Sequence, residues 1–320
     1  MKRQNTEILT HGSGIDIIPD IHGQLHKLEA LLTKLGYHRQ AEGGWGHPGR
    51  KVLFLGDYID RGPRIRETLD LVRAMVNSGH AVALMGNHEF NAVAYHTRDD
   101  VGRPLRPHTP KNTRQHQATL DDFAGREEEF LGYLEWFKGL PMFLELDGLR
   151  AINACWSEEH LELLEGRSLH DREFLIKAAS ERGSREYEAV ETILKGPEVI
   201  LPNGMRHITP DGKERPELRV RWWGLNGGDT SVADLVMPPG ALDSNEMIPS
   251  EVVRAIPNLA PGSKQVFFGH YWLPAERPKI PLAPGICCLD FSAGRSGPLV
   301  AYRWNGETSL SEANFVEQAG

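Results

Sequence analysis

Apolar residues in the first third of the chain fall into short runs that alternate with stretches of helical periodicity. Ile15-Asp-Ile-Ile-Pro19 is a β-branched run that ends at Asp20-Ile-His22-Gly23, and it predicts a strand. Leu25, Leu28, Leu31, Leu32 and Leu35 then recur at spacings of three and four, closed by Gly36, which predicts a helix. Residues 43–49 are rich in turn formers. Lys51-Val-Leu-Phe-Leu55 predicts a second strand, ending at Gly56-Asp57. Residues 65–76 predict a second helix, with Leu69, Val72 and Val76 on one face. A third strand, Ala81-Val-Ala-Leu-Met85, ends at Gly86-Asn87-His88-Glu89. Strand and helix in alternation predict a parallel sheet covered by helices. Ligands of such sheets gather where strands end at their carboxyl termini, and all three polar clusters fall there.

The pattern changes further along. Residues 95–117 are polar and basic, with Arg98, Arg103, Arg106, Lys111 and Arg114 beside His96, His108 and His116. They read as a long surface loop, either simply solvated or lining a substrate cleft. Residues 130–137 predict a helix, residues 141–146 and 149–155 predict strands, and residues 157–195 are charged and helical. Short strands return at 219–223, 265–268, 286–290 and 299–304. The expected fold class is α/β, a single domain over 1–320 with a cap inserted at 157–215. No repeat or low-complexity tract interrupts it.

Composition narrows the class. Hydrophobic residues make up 40% and charged residues 25%, as in an ordinary globular chain. A formal net charge of −8 and a pI near 6.0 argue against strong general binding to nucleic-acid backbones. No apolar run is long enough for a bilayer span or a signal-peptide core, so no membrane partner is expected. Three cysteines, two of them adjacent at Cys287 and Cys288, make a disulfide framework implausible, and the expected setting is the reducing cytoplasm.

The polar clusters carry the chemistry. Asp20 and His22 are two apart at a strand end, Asp57 and Asn87 end neighbouring strands, and His270 follows Val266-Phe-Phe-Gly269. Carboxylate, imidazole and amide oxygen suit divalent ions such as Mn, Fe or Zn. Two such ions can clamp a phosphate and activate a water. Arg61 could grip phosphate oxygens with its planar fork. His88 could protonate a leaving alkoxide, with Asp60 orienting it. Cys155 has no base beside it in sequence and reads as a core residue.

In order along the chain, Asp20-Ile-His22-Gly23, Gly56-Asp57-Tyr-Ile-Asp60-Arg61-Gly62, Gly86-Asn87-His88-Glu89 and Gly269-His270 resemble the motif series of calcineurin-like metallophosphoesterases. More narrowly they resemble the branch of serine/threonine phosphoprotein phosphatases, diadenosine-tetraphosphate hydrolases and the phosphatase domain of bacterial polynucleotide kinase-phosphatase. The resemblance implies a β-sandwich flanked by helices, with a dimetal site at one edge. It implies that Asp20 and His22 bind a first metal, that Asp57 bridges, and that Asn87 and His270 bind a second. It also implies phosphate contacts from Arg61 and Asn87, with His88 as general acid and Asp60 as its partner. Trp272 stands where many distant relatives have a further histidine, which favours the phosphoprotein-phosphatase-like branch.

Two positions depart from the family pattern. Pro19 replaces a glycine before Asp20. In Ile152-Asn153-Ala154-Cys155-Trp156, Asn153 stands where the family has a histidine that ligates the second metal. Asn153 is either a ligand through its amide oxygen or a structural hydrogen-bonding residue.

The implied cofactors are two divalent metal ions, manganese foremost, with Fe, Zn or Mg as alternatives. The implied function is hydrolysis of phosphomonoester or pyrophosphate bonds by direct attack of a metal-bridging water. The substrate would be a phosphorylated small molecule, a nucleotide or a phosphoprotein. Trp222-Trp223 and Tyr271-Trp272 read either as core or as stacking platforms for a base. The alternative, motivated by Asn153, is a catalytically weakened protein of this fold that acts in binding or regulation.

Overall fold

The computed structural model describes residues 9, 14–40, 44–208, 212, 214–260 and 264–319. The extreme N-terminus, part of the 43–49 turn region and part of the 157–215 segment therefore lie outside the described residues. Nine strands build two sheets: β1 (Gly14–Ile18), β2 (Arg50–Phe54), β3 (Ala81–Ala83), β4 (Phe143–Glu145), β5 (Leu149–Ile152), β6 (Gln265–Phe268), β7 (Ile286–Cys288), β8 (Leu299–Trp304) and β9 (Phe315–Gln318). The first sheet has the order β9-β8-β1-β2-β3, and the second has the order β7-β6-β5-β4. Within the first, β1 runs parallel to β2 and β2 to β3, while β8 lies antiparallel on the other side of β1. Within the second, β6 runs parallel to both β5 and β7.

Side-chain alternation explains the sandwich. Ile15 and Ile17 on β1, Leu53 on β2 and Val82 on β3 join Ala151, Phe267 and Cys287 of the other sheet in one apolar layer. Their sequence neighbours Ile18, Val52, Phe54, Ala81, Val266, Phe268 and Cys288 turn the other way, into the larger core under the helices. Both faces of these strands are buried, so their sequences read as continuous apolar runs. The three cysteines are free and buried, and Cys287 and Cys288 point into different cores.

Asp16, the one polar residue in β1, is fully buried on the helix side. It accepts hydrogen bonds from Arg50 Nε at 2.9 Å, Arg303 Nε at 3.1 Å and the Tyr37 hydroxyl at 3.1 Å. A buried charge needs such partners.

Helices α1 (Leu25–Lys34) and α2 (Ile65–Asn77) cover the first sheet, as their periodicity predicts. Helix α3 (Asn87–His96) begins at the end of β3. The expected surface loop at 95–117 is a correction. Residues 110 onward form α4 (Pro110–Asp122), capped by Thr109, whose hydroxyl accepts from Asn112 N at 3.2 Å. Only His116 and Thr119 of this helix are buried, and both are polar, so no apolar stripe announces it.

Helix α5 (Glu127–Lys138) follows, and then α6 (Glu158–Leu164), α7 (Arg172–Ser180) and α8 (Arg185–Lys195) fill the expected helical segment. Their apolar faces, including Leu161, Phe174, Val190 and Ile193, belong to the large core. Ile193 O accepts from the backbone N–H groups of Ala154 and Cys155, docking α8 on the end of β5.

The strand expected at 219–223 is shorter than its composition suggests. Glu217–Arg219 pairs with Glu198–Ile200, and then Val220 and Trp223 make only isolated bridges. The strand expected at 286–290 stops at Cys288. No helix among the described residues is long and apolar enough to cross a membrane.

Candidate metal centre

The strand ends deliver the polar clusters to one place. Asp20 and His22 follow β1, Asp57, Asp60 and Arg61 follow β2, and Asn87 and His88 open α3 after β3. Asn153 follows β5 and His270 follows β6. The backbone there is strained. Eight non-glycine residues among those described have positive φ, and seven belong to this region: His22, Asp57, Asp60, Arg61, His270, Trp272 and Ser292. Such conformations persist only where surrounding contacts enforce them, and they cluster at functional sites.

Glycine permits the close approach. A Cβ on Gly86 would lie 2.2 Å from Asp57 N and from its Oδ1, and one on Gly269 would lie 1.9 Å from Asp20 Oδ1. Glu89, fully buried, gathers the strand-end loop. Its Oε2 accepts from Asp57 N at 2.8 Å and Gly86 N at 3.0 Å, and its Oε1 accepts from Tyr58 N at 2.8 Å and Ile59 N at 3.3 Å. Burial, and then the Asp57 charge, push the Glu89 pKa up to about 7.

The donors that converge are suited to a cation. Asp20 accepts from His270 N at 3.1 Å, and its own pKa is pushed well up by burial and by the carboxylates of Asp290 and Asp57. Carboxylates crowded in this way call for a positive charge between them. His22 Nδ1 donates to Ile59 O at 2.8 Å, which leaves the Nε2 lone pair buried and without a hydrogen-bond partner, 4.0 Å from Asp20 Oδ2. His270 Nε2 is likewise buried and unpartnered. Burial holds both imidazoles well below their usual pKa, in the neutral form that ligates metals.

A second knot lies beside the first. Asn87 Oδ1 meets His270 Nδ1 at 2.7 Å and also faces an Asp57 carboxylate oxygen at 3.1 Å, acceptor against acceptor. A cation between them resolves the conflict, and so does turning the amide over. The donor set of carboxylate, neutral imidazole and amide oxygen fits divalent metal ions. His22, Asp57 and His88 also bring ligand atoms within 4.8 Å of one another.

His88 is held from both ends. Its backbone N donates to Asp57 Oδ1 at 2.9 Å, and its Nδ1 lies 2.5 Å from Asp60 Oδ2. Burial alone would lower its pKa, but the carboxylates of Asp57 and Asp60 outweigh that and raise it. Asp60 has further partners that the sequence does not reveal. Its Oδ1 accepts from His116 Nδ1 at 2.9 Å and from the Thr119 hydroxyl at 2.5 Å, and His116 Nε2 meets His96 Nε2 at 3.2 Å. Burial opposes the charge on Asp60, but the bonds from His116 and His88 win and hold its pKa far below the usual range.

Asn153 is fully buried, and backbone groups engage both ends of its amide. Its Oδ1 accepts from Asn87 N at 3.3 Å, and its Nδ2 donates to Leu55 O at 3.2 Å. Asp290, two residues beyond β7, is the site residue that sequence reasoning missed. Its Oδ2 accepts from Trp272 N at 2.8 Å, and burial first of all raises its pKa to about 6. The signal was available: it is a carboxylate ending an apolar run, as Asp20 and Asp57 are. Trp222, Trp223 and Tyr271 are buried core residues, which removes them as stacking platforms. Arg106 lines a small cavity of about 40 Å³ with Asn87, His88 and His116, whereas Arg103 is exposed and paired with Asp99.

The family model described as calcineurin-like phosphoesterase matches residues 14–271. The chain belongs to that family. Several curated relatives are called bis(5'-nucleosyl)-tetraphosphatase (asymmetrical). The one from Oceanobacillus iheyensis is 44% identical over 149 residues, 46% of this chain and 58% of that relative. The one from Geobacillus thermodenitrificans is 47% identical over 146 residues, 44% of this chain and 56% of that relative. A third, from Anoxybacillus flavithermus, is 42% identical over 73 residues, 23% of this chain and 30% of that relative. The chain thus spans between 30% and 58% of the length of these curated relatives.

Among solved structures, a protein serine/threonine phosphatase from Saccharomyces cerevisiae superposes with a TM-score of 0.47 at 14% identity, covering 97% of this chain and 80% of its own. A cold-active protein-tyrosine phosphatase of a Shewanella species gives 0.48 at 15% identity, covering 94% and 81%. The mixed α/β sandwich flanked by helices is the architecture expected of the calcineurin-like phosphoesterase family.

Proposed function

We propose that this chain hydrolyses phosphate esters or phosphoanhydrides with the help of two divalent metal ions, manganese foremost. The observation that carries the reading is the pair of buried, unpartnered imidazole nitrogens of His22 and His270, set among the carboxylates of Asp20 and Asp57. In this reading Asp20, His22 and Asp57 would hold one ion, and Asp57, Asn87 and His270 the other. Bound ions supply Lewis acidity toward the phosphoryl group and activate water at neutral pH.

The chain itself would do the rest. The Arg61 fork binds and orients the phosphoryl oxygens, with the Asn87 amide beside it. His88 gives its proton from Nε2 to the departing oxygen, because Asp60 occupies Nδ1 and favours the protonated ring. Asn153 we assign to positioning rather than to metal binding, since its amide already joins Leu55 O to the first turn of α3.

Relatives named as tetraphosphatases favour a nucleotide with a phosphoanhydride chain over a phosphoprotein as the substrate. Three free thiols favour a reducing setting such as the cytoplasm. The alternative, a binding or regulatory protein without turnover, has less support, because the His88–Asp60 pair is intact and serves no purpose in a passive scaffold.

The test is hydrolysis of p-nitrophenyl phosphate in added manganese. Turnover is expected, and His88→Asn should lower kcat by roughly 10²–10⁴-fold, the usual contribution of a general acid, with a much smaller change in KM. Absence of turnover in the unaltered protein, with manganese demonstrably bound, would refute the reading in favour of the binding alternative.

A further inference from the structure

Beyond the metal-binding pocket, a second loop returns to it after β7. Its backbone passes so close that a Cβ on Gly294 would lie 2.5 Å from a His22 ring carbon and 3.0 Å from Arg61 Cδ. The loop is firmly built. Asp290 Oδ1 accepts from Ser292 N at 2.9 Å, while the other oxygen of the same carboxylate holds Trp272 N. Lys27, only 3% exposed, donates its ammonium to the carbonyls of Ala293 at 3.1 Å, Gly297 at 2.8 Å and Arg295 at 3.4 Å. Trp272 and Ser292 both hold positive φ, so the two loops meet in fixed, strained conformations.

This framework presents Arg295 beside the catalytic pocket. Its guanidinium carbon lies 4.3 Å from the centre of the Trp272 ring, and that of Arg61 lies 4.0 Å from the same centre. Neither guanidinium makes an ion pair or a side-chain hydrogen bond among the described residues, although other surface arginines nearby are paired, Arg64 with Glu67 for example. The indole offsets part of the cost of bringing two like charges together, but it accepts none of their N–H donors. An anion with several oxygens would satisfy both forks and neutralise the repulsion. A nucleobase is a poor occupant, because the ring it would stack on already carries two guanidinium groups.

We propose that Arg295, set on Trp272 beside Arg61, forms a second anion subsite for the phosphate adjacent to the one being cleaved. The ligand class is a linear phosphoanhydride chain. Arg61 holds the reacting phosphoryl group, and Arg295 holds the next along the chain, so the site selects polyphosphates over simple monoesters. The inference rests on the proposed phosphoesterase activity for which phosphate reacts, but the subsite itself is a matter of binding.

Two measurements separate the two ideas. Calorimetry on chelator-treated protein would titrate inorganic tripolyphosphate and, separately, orthophosphate. Steady-state kinetics, with manganese in excess, would compare tripolyphosphate with p-nitrophenyl phosphate. Arg295→Ala should weaken tripolyphosphate binding about tenfold, the equivalent of one charge-assisted contact, and raise its KM about tenfold more than that of p-nitrophenyl phosphate. Arg295→Lys should recover part of the loss, keeping the charge without the fork. Equal losses on both substrates, unchanged tripolyphosphate binding in Arg295→Ala, or no tripolyphosphate binding by the unaltered protein would overturn the subsite. If neither substrate turns over, the phosphoesterase reading fails, and the calorimetric comparison still decides the subsite.

Discussion

His96, in the last turn of α3, shows how far the environment of His88 extends. Its Nε2 meets His116 Nε2, and His116 in turn donates to Asp60, so a chain of side chains links the last turn of α3 to His88. Partial burial first, and then the His116 and His108 rings, lower the His96 pKa from the ordinary 6.5 to about 4. The folded protein therefore refuses a proton that the unfolded chain accepts. The resulting stability is fully present above about pH 6.5 and is lost as the pH falls toward 4. Urea unfolding at pH 7 and pH 5 should show this decline, and His96→Gln should make it shallower whatever it does to the baseline. An equally steep decline in the variant would remove His96 from the account. Asp60 belongs to the same scale: its role as partner of His88 follows from the motif, whereas its bonds to His116 and Thr119 come from a helix that the sequence conceals.

At the scale of elements, the strand-end loop after β2 depends on the first turn of α3. Glu89 lies in that turn and accepts four backbone N–H groups, three of them from the loop that carries Asp57 and Asp60. Glu89→Ala would leave buried donors unsatisfied, each at about 1–3 kcal/mol, so a loss of roughly 3 kcal/mol or more is expected in urea unfolding. Glu89→Gln, which keeps one acceptor oxygen, should lose less. Similar losses in both variants would show that shape rather than acceptor chemistry holds the loop. The four-residue motif Gly86-Asn87-His88-Glu89 is thus one device: a glycine that lets Asp57 approach, two residues facing the site, and a carboxylate that fixes the neighbouring loop. Strands β1 to β3 and helices α1 and α2 were legible because their apolar periodicities are clean. Helix α4 was not, because the two residues it buries are a histidine and a threonine.

At the scale of the whole molecule, the two sheets meet with their carboxyl strand ends at one edge, and the folded chain concentrates Asp20, Asp57 and Asp290 there. Folding without a cation works against the burial of these carboxylates and then against their mutual repulsion, which together lift the pKa values of Asp20 and Asp290. A divalent ion that binds only the folded state should therefore stabilise it. Manganese added to chelator-treated protein should raise Tm by several degrees, about 3 kcal/mol at a hundredfold excess over Kd. Asp57→Asn should lose most of that rise. A Tm that does not respond to manganese, zinc or iron would argue against a metal centre at this edge.

The sequence alone determined the alternation of strand and helix in the first third, the polar clusters at the strand ends and, through their order, the family. Those features are local, since each depends on side-chain periodicity or on residues adjacent in the chain. It did not determine the partners that the clusters acquire. Asp290 joins Asp20 from the other sheet, His116 reaches Asp60 from α4, Asn153 is taken up by Leu55 and Asn87, and Arg295 comes to share Trp272 with Arg61. These pairings lie tens to hundreds of residues apart along the chain. They exist because burying both faces of two sheets fixes where each strand ends, and the loops beyond those ends must then satisfy their charges on one another.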